Sequence, residues 1–368
     1  MEKLTFNRSS APTIGVELEV QILDSKTLEL APLASEILKM VPPSLEKRIK
    51  HEFIQSMVEI NTGICSTVAD VEKDLRSTYE HLNDIAEGLD ATLYAVSLHP
   101  FSKSSAQTVS EHPRYRKIMD ELQIVGRRFI TQGLHVHIGM DNAEKAIRVN
   151  NNIRLYLPIL LALTTSSPFY EGMDTGLMSY RAKLFEALPL AGMPDSLNGW
   201  EEFETLINLL RKSGIIESVK DIWWDVRPHP DFGTVEVRIC DLPYSMRDIL
   251  ALTALIQALV VTLAEQDEDS QPHIQILRSN KWQATRYGLE GVYVDPFFAR
   301  KHSMKEAVMN LYRFVKPTAE TLQSISYLDD IPEILNRSTG SHIQRKLFNS
   351  NGNNFKEMIR TMKGLFLS

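Results

Sequence analysis

The stretch Thr13-Ile-Gly-Val-Glu-Leu-Glu-Val-Gln-Ile22, TIGVELEVQI, alternates apolar and polar side chains almost without a break. In an extended chain successive side chains point to opposite faces, so Ile14, Val16, Leu18, Val20 and Ile22 share one face while Glu17 and Glu19 share the other. This period of two predicts a strand packed on a core through its even positions. A solvated outer face is the plain reading of the two carboxylates, and a cation held against that face is the alternative.

The same parity recurs along the chain. In IQSMVEINT (54–62), Glu59 and Asn61 lie opposite Ile54, Val58 and Ile60. In TQGLHVHIG (131–139), His135 and His137 lie opposite Leu134, Val136 and Ile138. In GTVEVRIC (233–240), Glu236 and Arg238 lie opposite Val235, Val237 and Ile239. Same-face neighbours on a strand stand roughly 6.5–7 Å apart, within reach of one divalent ion or of two adjacent ions. If the four strands share a sheet, four carboxylates and two imidazoles converge, and their repulsion demands a cation. Oxygen-rich ligands with one or two histidines favour magnesium or manganese over a structural zinc. Each motif alone is ordinary: Glu-x-Glu is a common solvated face, His-x-His a common satisfied pair, and EVR a common cross-strand ion pair. Their joint occurrence favours the metal.

Between the strands, Thr67 to Leu89 has helical apolar spacing, ATLYAVSL (91–98) reads as a strand, and 112–129 reads as a helix. A long helical region spans about 142–165, which Pro158 should kink or split. IWWDVRP and GTVEVRICD read as strands joined through the turn HPDFG, and beyond Ser245 the pattern is nearly all helical. Strands ahead of residue 241 with helices around and after them give an α+β class: one antiparallel sheet with helices packed on one face. A single domain over 1–368 is expected, with the helical part from about residue 303 packed on it.

The 368 residues carry a net charge of −7, with 43% hydrophobic and 24% charged residues. An acidic chain lacks the basic footprint of a general nucleic-acid binder. Two cysteines exclude a disulfide framework and a four-cysteine zinc site. The amino terminus, MEKLTFNRSS, has no apolar signal core, and the apolar run from Ile249 to Ala264 is shorter than the ~20 residues of a membrane span. A cytoplasmic protein acting on small molecules, with neither nucleic acid nor membrane as partner, is the expectation.

The succession GVELEV, VEIN, GLHVHIG, SPFYEGMDTGLMSYR, VRPHPDFGTVEVRICD and NKWQATRYGLEG, in order from about residue 13 to 291, resembles the type 2 glutamate–cysteine ligase family. Its bacterial members are described as carboxylate–amine ligases within the glutamine synthetase-like superfamily. The resemblance implies a curved antiparallel sheet whose concave face binds ATP and two or three Mg2+ or Mn2+ ions. It implies Glu17, Glu19, Glu59, His135 and Glu236 as metal ligands, and His137 as a substrate or nucleotide contact. It further implies an ADP-forming ligase that joins an acid such as glutamate to an amine through an acyl phosphate. A homodimer is the expected assembly.

Arg181, Arg227 and Arg238 are the candidate catalytic clamps for phosphate or carboxylate, a task suited to the planar guanidinium. Asn280, Lys281 and Arg286, together with His137, are the candidate nucleotide contacts. SLHPFS, TQGLHVH and Ser279 depart from the family pattern but remove none of the proposed ligands. The competing functions are a zinc hydrolase built on the His-x-His strand, a guanidino phosphotransferase on a related fold, and a nucleotide- or metal-binding protein without catalysis.

Overall fold

The computed structural model describes residues 3–267 and 271–368. Its main sheet is built on the opening strand, β1 (Ile14–Asp24), whose even residues Ile14, Val16, Leu18, Val20 and Ile22 are buried in the largest core. The other early strands are β2 (Ile49–His51), β3 (Met57–Asn61), β4 (Ala91–Tyr94) and β5 (Leu134–Gly139). Short pairs follow, β6 (Phe169–Tyr170) with β7 (Met173–Asp174) and β8 (Ala191–Gly192) with β9 (Trp223–Trp224). The hairpin of β10 (Val226–His229) and β11 (Thr234–Val237) completes the sheet, in the order β10-β11-β5-β1-β3-β2 with β4 paired to the end of β1. Every pairing in this sheet is antiparallel.

One face of the sheet is apolar and covered by helices. Val68–Glu87 begins at a capping box, in which the Thr67 hydroxyl accepts from Asp70 N–H and Asp70 accepts from Thr67 N–H. It buries Val71, Leu75, Tyr79 and Leu82 at the spacing of a helix face. Ala143–Ile153 packs on β10 and β11, and Met246–Ala264 packs on β5 and on both of those helices. Met246–Ala264 is long and apolar enough to cross a membrane, but 83% of its apolar window is buried inside the protein, where it serves as the central core helix. The largest core runs from Ile14 to Phe366.

The α+β expectation holds, with differences of extent. The region 142–165 divides into Ala143–Ile153 and Leu157–Thr164, and Pro158 sits in the first turn of the second helix, where its missing N–H costs nothing. The stretch 112–129 is likewise two helices, Pro113–Leu122 and Ile124–Arg127, separated at Gln123 with φ of +49°. IWWDVRP is divided between β9, which joins a parallel pair outside the sheet, and β10. Past Ser245 a hairpin of β12 (Val292–Val294) and β13 (Lys301–Ser303) interrupts the helices, five of which follow from Met304 to Gly364.

Candidate active site

Register brings the polar positions of four strands together. Glu17 of β1 faces Asn61 on β3 and His135 on β5, while Glu19 faces Glu59. One step along, His137 lies between Gly15 and Glu236, and Glu236 faces Arg227. Because side-chain parity is shared across paired strands, these residues all emerge on the face away from the helices.

Two groups of possible metal ligands result. In the first, Glu17, His135 and Glu236 each offer a ligand atom, all within 4.8 Å of one another. Glu17 Oε2 lies 3.2 Å from His135 Nδ1, and Glu17 Oε1 lies 3.4 Å from His137 Nε2. Glu236, almost fully buried, accepts from Arg227 Nε at 2.6 Å and from Arg238 Nη1. In the second group Glu19, Glu52 and Glu59 come within the same 4.8 Å. Glu19 accepts from Gly133 N–H at 2.6 Å, and Glu59 accepts from the Asn61 amide at 2.6 Å.

The charges of the two groups are balanced differently. Burial opposes ionisation of Glu17, but hydrogen bonds to His135 and His137 outweigh it and hold the carboxyl well below the usual range. For Glu236 burial is likewise outweighed, by the charges of Arg227 and Arg238. Glu19 is pushed up to about 7 by burial, which the more distant Arg181 and Arg238 offset only in part. Burial and the negative charges of Glu59 and Glu19 push Glu52 well up, and burial and Glu17 raise Glu59.

A divalent cation suits both groups. The first offers two carboxylates and an imidazole, the second three carboxylates, and such oxygen-rich sets match magnesium or manganese. The buried Nε2 atom of His135 has no hydrogen-bond partner among the described residues, and that of His137 has only the long 3.4 Å contact with Glu17. The raised carboxylates of the second group lack the positive charge that would keep them ionised together.

These residues floor a cavity of about 300 Å3. Its rim is basic, with Lys50, Arg114 and Lys220, and its walls are aromatic, with Phe53, Tyr115, Phe129, Phe185 and Trp223. Phe232, half exposed on the β10–β11 turn, stacks on His229 with ring centroids 4.2 Å apart.

Of the residues singled out from sequence, Glu17, Glu19, Glu59, His135, His137, Glu236, Arg227 and Arg238 all line this cavity. Arg181 lies beneath it, donating to the carbonyls of Arg238 and Ile239 at 3.2 Å and stacking over Phe185. Gly133 makes room for it, since a Cβ there would collide with the guanidinium and come within 3.2 Å of His135 Nε2.

Asn280, Lys281 and Arg286, on the helix Ile274–Tyr287, stand outside the cavity lining. The Asn280 amide brackets the backbone of Val294, tying its helix to the β12–β13 hairpin. Lys281 is buried in ion pairs with Asp225 at 2.6 Å and Glu186 at 3.1 Å. Arg286 donates to the carbonyl of Gly176.

Glu52 is the ligand-type residue that sequence parity does not reveal. Counted along a straight strand it falls with Ile54, Val58 and Ile60 on the apolar side. A turn at Gln55–Ser56 between β2 and β3 resets the alternation and returns Glu52 to the polar face.

The sequence profile of the glutamate–cysteine ligase family 2 matches residues 13–363. The chain belongs to this family. A relative from Gloeobacter violaceus, named "Putative glutamate--cysteine ligase 2", is 40% identical over 351 residues, covering 94% of each chain. A relative of the same name from Solibacter usitatus is 36% identical, covering 92% of this chain and 90% of its own.

Among solved structures, the fold is similar to glutamate–cysteine ligase from Francisella tularensis, determined in complex with AMP. That match has a TM-score of 0.70 and 13% identity, and covers 99% of this chain and 90% of the other. A bifunctional glutathione synthetase from Pasteurella multocida gives a TM-score of 0.74 at 14% identity, covering 96% of this chain and 52% of the other. At such identities the likeness is one of fold: the family 2 chain shares the architecture of these enzymes.

Proposed function

We propose that the protein is an ATP-dependent carboxylate–amine ligase of the glutamate–cysteine type, forming ADP, phosphate and an amide. The observation that carries this reading is the meeting of Glu17, Glu19, Glu52, Glu59 and Glu236 with two imidazoles and two guanidiniums on one sheet face, under a basic rim. Membership of the glutamate–cysteine ligase family 2 supports it, and glutamate is accordingly the first acid to test.

The acid's carboxylate attacks the γ-phosphorus of ATP to give an acyl phosphate and ADP, and the amine nitrogen then displaces phosphate. The first step brings anions together, so positioning and charge neutralisation dominate its barrier. Mg2+ or Mn2+ held by Glu17, His135 and Glu236, and by Glu19, Glu52 and Glu59, would neutralise phosphate charge and fix its orientation.

The protein's own groups do the rest. Arg238 lines the cavity and its buried Nε has no hydrogen-bond partner, which leaves it a donor for a phosphoryl or carboxylate oxygen. Arg227 is anchored by the carbonyls of Val219 and Ile222 at 3.1 and 2.7 Å, and so keeps Glu236 ionised and in place. Arg181 steadies the segment just past β11 that carries Arg238. His137, held by Thr234 through Nδ1 at 3.1 Å, presents its Nε2 to the carboxylates of Glu17 and Glu236.

The reading is tested by incubating the protein with ATP, Mg2+, glutamate and a panel of amines while following phosphate and product mass. ADP, phosphate and a condensed product are expected. Amide hydrolysis without ATP would instead favour the hydrolase, and a phosphorylated guanidine the phosphotransferase.

A further inference from the structure

The metal floor occupies only part of the open space on this side of the sheet. A second space of about 410 Å3 adjoins it, and Arg114, Ile118, Leu122 and Trp223 line both. The remaining walls are largely apolar, with Pro189, Leu190, Ile215 and Ile216. Four of its five charged lining residues are paired with one another: Arg114 Nη2 meets Asp221 Oδ1 at 3.1 Å, and Lys117 meets Glu217. Leu190 is 37% exposed and Ile215 is 59% exposed, so the pocket holds apolar surface that the chain itself leaves in contact with water.

Its position relative to the two carboxylate groups matters. Ile118 and Leu122 belong to the helix whose Tyr115 packs on Phe53 and feels the charges of Glu52 and Glu59. Through Ile118 and Leu122 the pocket adjoins the end of the floor served by β2 and β3, and through Trp223 it extends toward the start of β10. At the other end, on β10 and β11, the ring face of Phe232 on His229 is available to a nucleobase. An acidic substrate has no unpaired cation in the side pocket to meet, because Arg114 and Lys117 are already engaged. The reactant left for this space is the amine. A thiomethyl-sized side chain would fill little of it, whereas a pocket of this volume and lining suits a larger apolar group.

Building on the ligase reading above, we infer that this side pocket receives the substituent of the acceptor amine, and that the preferred amine carries an apolar group the size of a phenyl ring or larger. Burying such a group beside Leu190 and Ile215 removes both surfaces from water and favours binding by roughly fourfold per methylene.

The test uses the full chain with ATP, Mg2+ and glutamate, and compares n-alkylamines from methylamine to hexylamine with phenethylamine and cysteine. KM is expected to fall with each added methylene, with phenethylamine preferred to cysteine. In Ile215→Glu, a surface change placing a carboxylate in the pocket, the KM for phenethylamine relative to that for methylamine is expected to rise about tenfold. A KM independent of chain length, or a preference for cysteine or methylamine, overturns the inference while leaving the ligase reading intact. A rise confined to the KM for ATP in Ile215→Glu gives the pocket to the nucleobase and overturns it equally. Absence of ADP formation with every amine overturns the ligase reading itself, and this inference with it.

Discussion

The two carboxylate groups share one sheet face yet solve opposite electrostatic problems. Around Glu17 and Glu236 the partners are built in: Arg227 and Arg238 bring positive charge to Glu236, His137 stands between the two carboxylates, and His135, which burial lowers to about 4, serves Glu17 as a hydrogen-bond partner. Around Glu19, Glu52 and Glu59 the one direct ion pair among the described residues comes from Lys50, 3.6 Å from Glu59 and half exposed, which solvent screens heavily. The neighbours of the first group hold its carboxyls below the usual range, while burial and mutual repulsion raise those of the second. Similar residue types thus give one group balanced by its neighbours and one left with uncompensated negative charge, according to which neighbours the register supplies.

The largest effect that would sharpen this contrast is expected from Glu236→Gln. It strips Arg227 and Arg238 of their shared carboxylate, and breaking a buried pair in this way costs about 3–5 kcal/mol. Urea denaturation should show that loss, and ATP turnover should fall on the order of 10³-fold. Unchanged stability would mean that the first group is not balanced as described.

Glu52→Gln should act in the opposite sense on stability. It removes one of three mutually repelling carboxylates, so the chelator-treated protein should melt higher at pH 8 than the parent. Turnover should nevertheless drop by about 10²-fold if Glu52 serves as a ligand. A lower melting temperature in chelator would break the comparison.

A smaller effect concerns pH. The Glu19 carboxyl sits at about 7 in the folded chain against an ordinary value of 4.5. A raised carboxyl pKa means the folded state binds more protons, so its contribution to stability is full below about 4.5 and is lost as pH rises through about 7. Glu52 and Glu59 are shifted in the same direction. Thermal melts in chelator should therefore fall as pH rises from about 4.5 to about 7, and Mg2+ or Mn2+ should restore them. Glu17 and Glu236, held low, have the reverse dependence: their contribution is lost only in acid, below the ordinary carboxylate range. The smallest change is expected from Lys50→Met, whose exposed pair is worth about 1 kcal/mol or less.

Much of this site was legible because strand parity is a local property. Glu17, Glu19, Glu59, His135, Glu236 and Arg238 could be placed on a polar face from alternation alone, and their convergence then required only that the strands pair. What could not be read locally was anything set by a turn or by packing. Glu52 was hidden by the break in alternation at Gln55–Ser56. Lys281 and Asn280 sit in a motif-rich helix, but tertiary packing turns them toward Asp225 and Val294. The basic rim of Arg114 and Lys220 and the aromatic walls come from segments far apart in sequence, and no periodicity announces them.

The central claim, that two oxygen-rich ion sites lie side by side on one sheet face, is tested most directly by anomalous diffraction from crystals grown with Mn2+ and a non-hydrolysable ATP analogue. Two peaks are expected, one among Glu17, His135 and Glu236 and one among Glu19, Glu52 and Glu59, with the analogue's phosphates against them. Manganese bound elsewhere, or phosphates bound with neither site filled, would contradict the account.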